Sequence, residues 1–431
     1  MDIYVVQAGD TIEKIADMYG VSAEKLIRDN ELANPYNLLV GQAIIIVYPS
    51  KTYTVVEGDS LVSIARANNI TVNELLRNNP FLVDREYIYP GEVLTISFNR
   101  SGELFTNGYT NTFINRQILR KTLPYLTYLS IFNYQISSSG DALGTDDDID
   151  IIQTALQYGV IPLMHLTAFT ILGEFDLDLT YRLLQDDELQ NILFENIVNI
   201  LKSKGYYGVI ISAQYITSEN QDLFLNYTRR FSERLKEEGF ITHIAIDPKI
   251  ITLDNSIVLE EIDYSLLSYV VDKILLIEYT WGMVTSPPSP VFSITRLNAL
   301  LDFIIPQIPP DKISIGIPVV GYMWELPFVP GLSSSSSLNI DNVINLAVDV
   351  QANIQFDSVS QTPYFYFTNS TSENTEYIVR YVNALTVNSL IQTLSERGIS
   401  SISVWNIMSY FTQLWLVINS QYEIVKLLPE I

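Results

Sequence analysis

The hydrophobic rhythm of the chain changes near residue 100. Before that point, short β-rich runs enclose pairs of brief amphipathic helices. Tyr4-Val5-Val6 reads as a strand, and Gly9-Asp10-Thr11 supplies a turn followed by a helix N-cap. Ile12, Ile15, Ala16 and Tyr19 then share one helical face. A second helix buries Leu26 and Ile27, and a strand after Gly41 closes against the first, giving a βααβ unit. From about Ser101 onward, apolar strands alternate with amphipathic helices, the pattern of a parallel α/β architecture. Strands are predicted at Gly108-Tyr109, Leu126–Tyr134, Val160–Leu166, Gly208–Ala213, His243–Asp247, Ile274–Tyr279, Ile313–Pro318 and Ser401–Asn406. Gln190–Ser203 and Gln221–Glu238 are the clearest helices. Eight such strands predict an α/β fold of the (β/α)8 TIM barrel type, with functional residues at the C-terminal strand ends. The stretch from Trp324 to Tyr377 is too long for a plain crossover. It predicts a small α+β insertion at about 325–377, with Ser333–Ser337 as a mobile loop.

The opening unit is repeated. Tyr4–Asn30 returns as Tyr53–Asn79, pairing Tyr4 with Tyr53, Gly9 with Gly58, Ala16 with Ala65 and Asn30 with Asn79. The closing phrases Leu39–Ile46 and Ile88–Ile96 also correspond. Three units follow: 1–49, 50–99 and 100–431. The doubled phrase around Gly9-Asp10-Thr11 and Gly58-Asp59-Ser60, with an Asn after the second helix, resembles the LysM domain. That resemblance implies binding of N-acetylglucosamine chains, in peptidoglycan or chitin. It points to Gly9, Asp10, Thr11, Asn30, Gly58, Asp59, Ser60 and Asn79 as the glycan-binding positions.

Charge and composition narrow the partners. With 25 Lys and Arg against 49 Asp and Glu, the net charge of −24 disfavours nucleic acid and anionic membrane surfaces but not a neutral glycan. No cysteine is present, and His165 and His243 are the only histidines. A disulfide framework, a thiolate site and a histidine-based metal centre therefore lack material, and neither metal nor cofactor is expected. Both histidines fall on barrel strands and read as structural. Gly144-Thr145-Asp146-Asp147-Asp148 lacks the further spaced oxygen ligands of a calcium loop, so Thr145 or an adjacent Asp is expected to cap the helix that follows. No secretory signal is recognised, and no apolar run reaches the roughly 18 residues of a spanning helix, so a soluble protein without a transmembrane segment is expected.

Several phrases along the barrel carry a further resemblance: TNGY at Thr106–Tyr109, KGYYGVIISAQY at Lys204–Tyr215, IEYTWG at Ile277–Gly282 and ISVWNI at Ile402–Ile407. Together with the paired LysM units they resemble bacterial spore-envelope glycosidases of glycoside hydrolase family 18. That family carries D-x-x-D-x-D-x-E at the end of the fourth strand. Its Glu is the general acid, and the substrate's own acetamide is the nucleophile. The aligned positions here are Tyr207, Ile210, Ser212 and Gln214, with no carboxylate among them. A carboxamide does not donate a proton near neutral pH, and general acid catalysis is worth roughly 10²–10⁴-fold.

The expectation that follows is a non-catalytic family member. It would attach through its LysM units to peptidoglycan and serve as a structural component of the spore envelope. The resemblance places its synthesis in the mother-cell cytoplasm, without a signal peptide. A weakly charged surface rich in Ser, Asn, Gln and Tyr adds the expectation of spore-envelope protein partners and a homo-oligomeric or ordered assembly. Two alternatives stay open. One is a lectin whose barrel binds N-acetylglucosamine glycans over Trp405, flanked by Tyr279, Trp281, Tyr134 and Trp324. The other is an active cortex N-acetylglucosaminidase with a displaced acid, for which Glu278, Asp247 and Glu325 are candidates.

Overall fold

The computed structural model describes residues 1–83, 85, 87–167, 176–213, 216–248, 250–253, 256–259, 262–277, 285–369 and 375–429. Eight parallel strands form the barrel: Gly102–Asn111, Tyr128–Ile136, Ile161–Thr167, Gly208–Ala213, Ile241–Ile246, Lys273–Leu276, Ile313–Pro318 and Ser401–Trp405. The first pairs with both the second and the eighth, which closes the sheet on itself. Alternation along each strand sorts the side chains into two cores. On the fourth strand, Val209, Ile211 and Ala213 face the surrounding helices, while Ile210 points into the barrel. On the third, Met164 and Leu166 face outward, while Ile161 and Leu163 face inward. The interior also carries a polar chain. Ser130 Oγ donates to Asn107 Oδ1 at 2.6 Å, Asn107 Nδ2 reaches Ser403 Oγ at 3.5 Å, and Ser403 and Ser314 share a bond of 3.0 Å. Each of these buried groups is thereby partnered, as burial demands.

The insertion between the seventh and eighth strands is a five-stranded antiparallel sheet with one helix, Ile340–Asp349. Its strands run from Gly321–Leu326 to Thr375–Arg380, slightly beyond the expected limits. The serine run differs from expectation. Ser335–Leu338 is a paired edge strand, with Ser337 opposite Tyr322, so its backbone bonds are held in a ladder. A hairpin of Ile250–Leu253 and Ser256–Leu259, not anticipated from the hydrophobic pattern, follows the fifth barrel strand.

Each LysM unit pairs its first and last strands: Asp2–Val5 with Ala43–Ile46, and Pro49–Thr54 with Val93–Phe98. The second unit is fastened to the barrel by a buried polar cluster. Arg77 donates to Asn419 Oδ1 at 3.0 Å and to Glu423 at 2.6 Å, and Tyr125 Oη donates to the Arg77 carbonyl at 2.7 Å. Arg100 bonds Glu74 at 3.0 Å, Asn78 at 2.8 Å and also Glu423. The first unit meets the barrel and the insertion more lightly. Gln413 donates to the Ala43 carbonyl at 2.9 Å, the Ile354 N–H to the Val40 carbonyl at 2.9 Å, and Lys121 pairs with Glu31 at 2.5 Å. No helix among the described residues is long and apolar enough to cross a membrane.

Candidate active site at the barrel mouth

The C-terminal ends of the strands bring four rings together. Trp405, last on the eighth strand, lies 5.4 Å from Tyr109 and 5.1 Å from Phe132, both edge-on. Phe132 stacks on His165 at 3.9 Å. His165 Nε2 shares a hydrogen bond of 2.7 Å with Ser212, joining the third strand to the fourth. Burial pushes His165 down to about 3, so its ring is neutral at physiological pH. Tyr109 is raised well above its ordinary value by burial alone, and its hydroxyl stays protonated. Tyr109 Oη and His165 Nδ1 are buried and find no hydrogen-bond partner among the described residues. The mouth thus carries a cluster of packed rings with two unspent polar atoms, and aromatic faces of this kind suit the apolar faces of a sugar ring.

The positions singled out from sequence do not all converge here. Trp405 stands at the mouth as expected. Ile210 is fully buried among Tyr109, Tyr128 and Leu163. Tyr207 is 41% exposed just ahead of its strand. Tyr134 does not flank the sugar site. The register shifts between Phe132 and Tyr134, which turns Tyr134 outward to bond Asp148 at 3.1 Å beside Tyr206. Phe132 takes the inward place instead, and sequence alternation alone could not locate that bulge. Trp324 is fully buried within the insertion, where its Nε1 donates to the Ser286 carbonyl at 2.8 Å. Asp148 does not cap its helix through its side chain; it accepts from Lys204 at 2.8 Å and Tyr206 at 2.7 Å. Gln214, Glu278, Tyr279 and Trp281 lie outside the described residues. Asp247 follows the fifth strand and is half-buried, and Glu325 is exposed on the insertion.

His243 lies lower in the barrel, edge-on to Tyr128 at 5.0 Å, and burial reinforced by Lys273 pushes it down to about 3. Neither histidine belongs to a cluster of metal-ligating residues among the described residues.

In the LysM units the marked residues divide by job. Asn30 and Asn79 are buried and staple the second helix to the last strand. Asn30 Nδ2 reaches the Leu26 and Ile45 carbonyls at 3.0 and 2.8 Å, and its Oδ1 accepts the Ile45 N–H at 2.8 Å. Asn79 repeats this at Leu75 and Thr95. Asp10 and Asp59 each accept a tyrosine hydroxyl, from Tyr4 at 2.7 Å and Tyr53 at 2.9 Å. Thr11 and Ser60 cap the first helix of each unit. Gly9 and Gly58, at φ of +86° and +90°, have open space around them, so their turns are the accessible part of the motif.

Comparison with known proteins completes the site. The LysM domain model matches residues 4–47 and 53–97, and the model for glycosyl hydrolases family 18 matches residues 173–409. The chain is 30% identical over 415 residues, 96% of each chain, to YdhD of Bacillus subtilis (strain 168), by name a sporulation-specific glycosylase. It is 28% identical over 433 residues, 99% of each, to the cortical fragment-lytic enzyme of the same organism. Among solved structures, the Bacillus cereus spore cortex-lytic enzyme SleL superimposes with a TM-score of 0.80 at 26% identity, covering 99% of both chains. These findings overturn the expectation of a non-catalytic structural component. Proteins that match 99% of this chain are named as lytic enzymes, and nothing in the comparisons supports a self-assembling role. Emptying one catalytic motif of carboxylates does not define the activity of a whole barrel mouth. The chain belongs to glycosyl hydrolase family 18 and carries two LysM domains ahead of its barrel.

Proposed function

We propose that this protein is a glycosidase of the spore cortex, holding peptidoglycan through its LysM domains and cleaving next to N-acetylglucosamine at the barrel mouth. The observation that carries the proposal is the cluster of Trp405, Tyr109 and Phe132 rings at the C-terminal strand ends, with the unpartnered Tyr109 hydroxyl beside them. End-to-end similarity to cortical fragment-lytic enzymes supplies the substrate class. In the family's chemistry the acetamide oxygen of the substrate attacks C1 as the C1–O bond breaks. A proton passes to the leaving oxygen, and water then opens the oxazolinium. Ser212, held by His165, stands where the family places the acetamide-orienting Asp and offers a neutral hydroxyl. Residue 214 is a glutamine, so the proton must come from a carboxylate elsewhere, and the proposal assigns it to Glu278, Asp247 or Glu325.

The test is incubation with muramic-lactam cortex fragments and detection of released N-acetylglucosamine or shortened fragments. Release is expected, as is its loss in one of Glu278→Gln, Asp247→Asn or Glu325→Gln. No release above the protein-free rate, under conditions where a cortical fragment-lytic enzyme digests the same material, overturns the proposal. Trp405→Ala is expected to weaken fragment binding about tenfold, the scale of one aromatic contact.

A further inference from the structure

A groove lies away from the barrel mouth. It has a volume of about 800 Å³ and sits where the two LysM domains, the barrel and the insertion converge. Such junctions between modules are common ligand sites, and the volume is that of a pocket for several sugar rings. Five exposed carboxamides line it: Asn34 and Asn37 from the first LysM domain, Gln117 from the barrel helix Arg116–Thr122, and Asn339 and Asn345 from the insertion. Phe81 of the second LysM domain and Tyr410 of the barrel also line it, with Arg28 4.6 Å over the Phe81 ring. The one lysine in the lining, Lys121, is already neutralised by Glu31 at 2.5 Å and lies 4.0 Å over the Tyr410 ring. In a chain of net charge −24, the lining adds one further carboxylate, Asp341, to its uncharged amides and so suits a ligand without negative charge. Carboxamides complement hydroxyl and acetamide groups in both donor and acceptor roles.

One segment links the groove to the mouth. Trp405 stands at the mouth, and the Asn406 side chain accepts the Met408 N–H at 3.1 Å. Met408 lines the groove while its sulfur takes the Asn111 N–H at 3.4 Å, at the end of the first barrel strand. Farther along, Thr412 donates to Glu31 at 2.9 Å and Gln413 to the Ala43 carbonyl at 2.9 Å, fixing the first LysM domain to the same segment. We propose that the inter-module groove is a second glycan-binding site, separate from the mouth, that holds the continuing strand of an N-acetylglucosamine polymer whose end lies at Trp405. The choice of glycan rests on the function proposed above; the site itself rests on the groove.

The absence of cysteine makes the test direct. A dye placed on the Asn345→Cys variant of the full chain reports from the groove alone, and chitohexaose is the probe. A saturable change in dye emission is expected, with its midpoint raised about tenfold when Gln117→Trp narrows the groove. Both positions are exposed, and the thermal midpoint should not move. The proposal is overturned if chitohexaose binds the protein while the dye does not respond. It is equally overturned if the response is unchanged by Gln117→Trp, or if chitohexaose does not bind at all. Failure of the two ideas is distinguishable: a responding dye without cortex-fragment cleavage removes the hydrolytic function and leaves the groove, and cleavage with a silent dye does the reverse.

Discussion

The two LysM domains share an interior and differ in what they are fastened to. Arg28 and Arg77 occupy the same place in the repeat. Arg28 has a side chain 30% exposed and lies 4.6 Å over the Phe81 ring, whereas Arg77 is 2% exposed and bonded to Glu423, Asn419 and the Pro124 carbonyl. Gly41 and Gly91 hold the same turn at φ of +86° and +92°. A Cβ on Gly41 would stand 1.9 Å from the Ile354 carbonyl oxygen, and one on Gly91 would meet nothing within 4 Å. Repeated sequence therefore encodes the module, while its surroundings decide what each outward residue does.

The largest break in this symmetry is expected at the arginines. Arg77→Ala leaves Glu423 and Asn419 without their partner at a buried seam and should destabilise by roughly 3 kcal/mol, the lower end for a buried pair because Glu423 is half-exposed. Arg28→Ala should cost about 0.5–1 kcal/mol. Urea unfolding followed by hydrogen exchange in each LysM domain measures both, and equal effects would refute the comparison. Next come the glycines. Gly91→Ala is expected to lose about 1–2 kcal/mol, the left-handed backbone penalty alone. Gly41→Ala should lose more and increase exchange at the Val40–Ile354 contact, since the insertion must move off the domain. The asparagines should restore the symmetry: Asn30→Ala and Asn79→Ala each strand the same backbone groups and should cost about 1–3 kcal/mol apiece. Unequal losses would mean that the two interiors are not equivalent.

A smaller, graded effect separates the barrel from the LysM domains. Both histidines are in the barrel, and burial pushes each down to about 3, against about 6.5 in the unfolded chain. Between these values the unfolded state binds more protons, so barrel stability falls as pH drops below 6.5, by up to about 1.4 kcal/mol per pH unit for each histidine. All four tryptophans lie beyond residue 99, so their fluorescence follows the barrel in a pH series of urea titrations. A flat profile from pH 6.5 to 4.5 would contradict the buried, neutral assignment.

Much of the fold is legible in the sequence because its rules are local. Gly-Asp-Thr and Gly-Asp-Ser mark the repeat, and a β-branched run marks each barrel strand. What stays hidden depends on partners far along the chain. The first strand begins at Gly102, well before Gly108, because its start pairs with Tyr422–Ile424. Phe132 replaces Tyr134 at the mouth because of a bulge that period-two alternation does not register. The site is legible at Trp405 but not in the Ser212–His165 bond, since no spacing on one strand reveals its neighbour's register. The motif at residues 207–214, taken alone, points away from activity. Four positions weigh less than a similarity to lytic enzymes that covers 99% of the chain.

Digestion of muramic-lactam cortex fragments by the purified full-length protein, with products followed by mass spectrometry, addresses the hydrolytic function without an intermediary. The expected outcome is release of N-acetylglucosamine-terminated products that stops when one carboxylate among Glu278, Asp247 and Glu325 is neutralised. Fragments bound but left intact after prolonged incubation would contradict it.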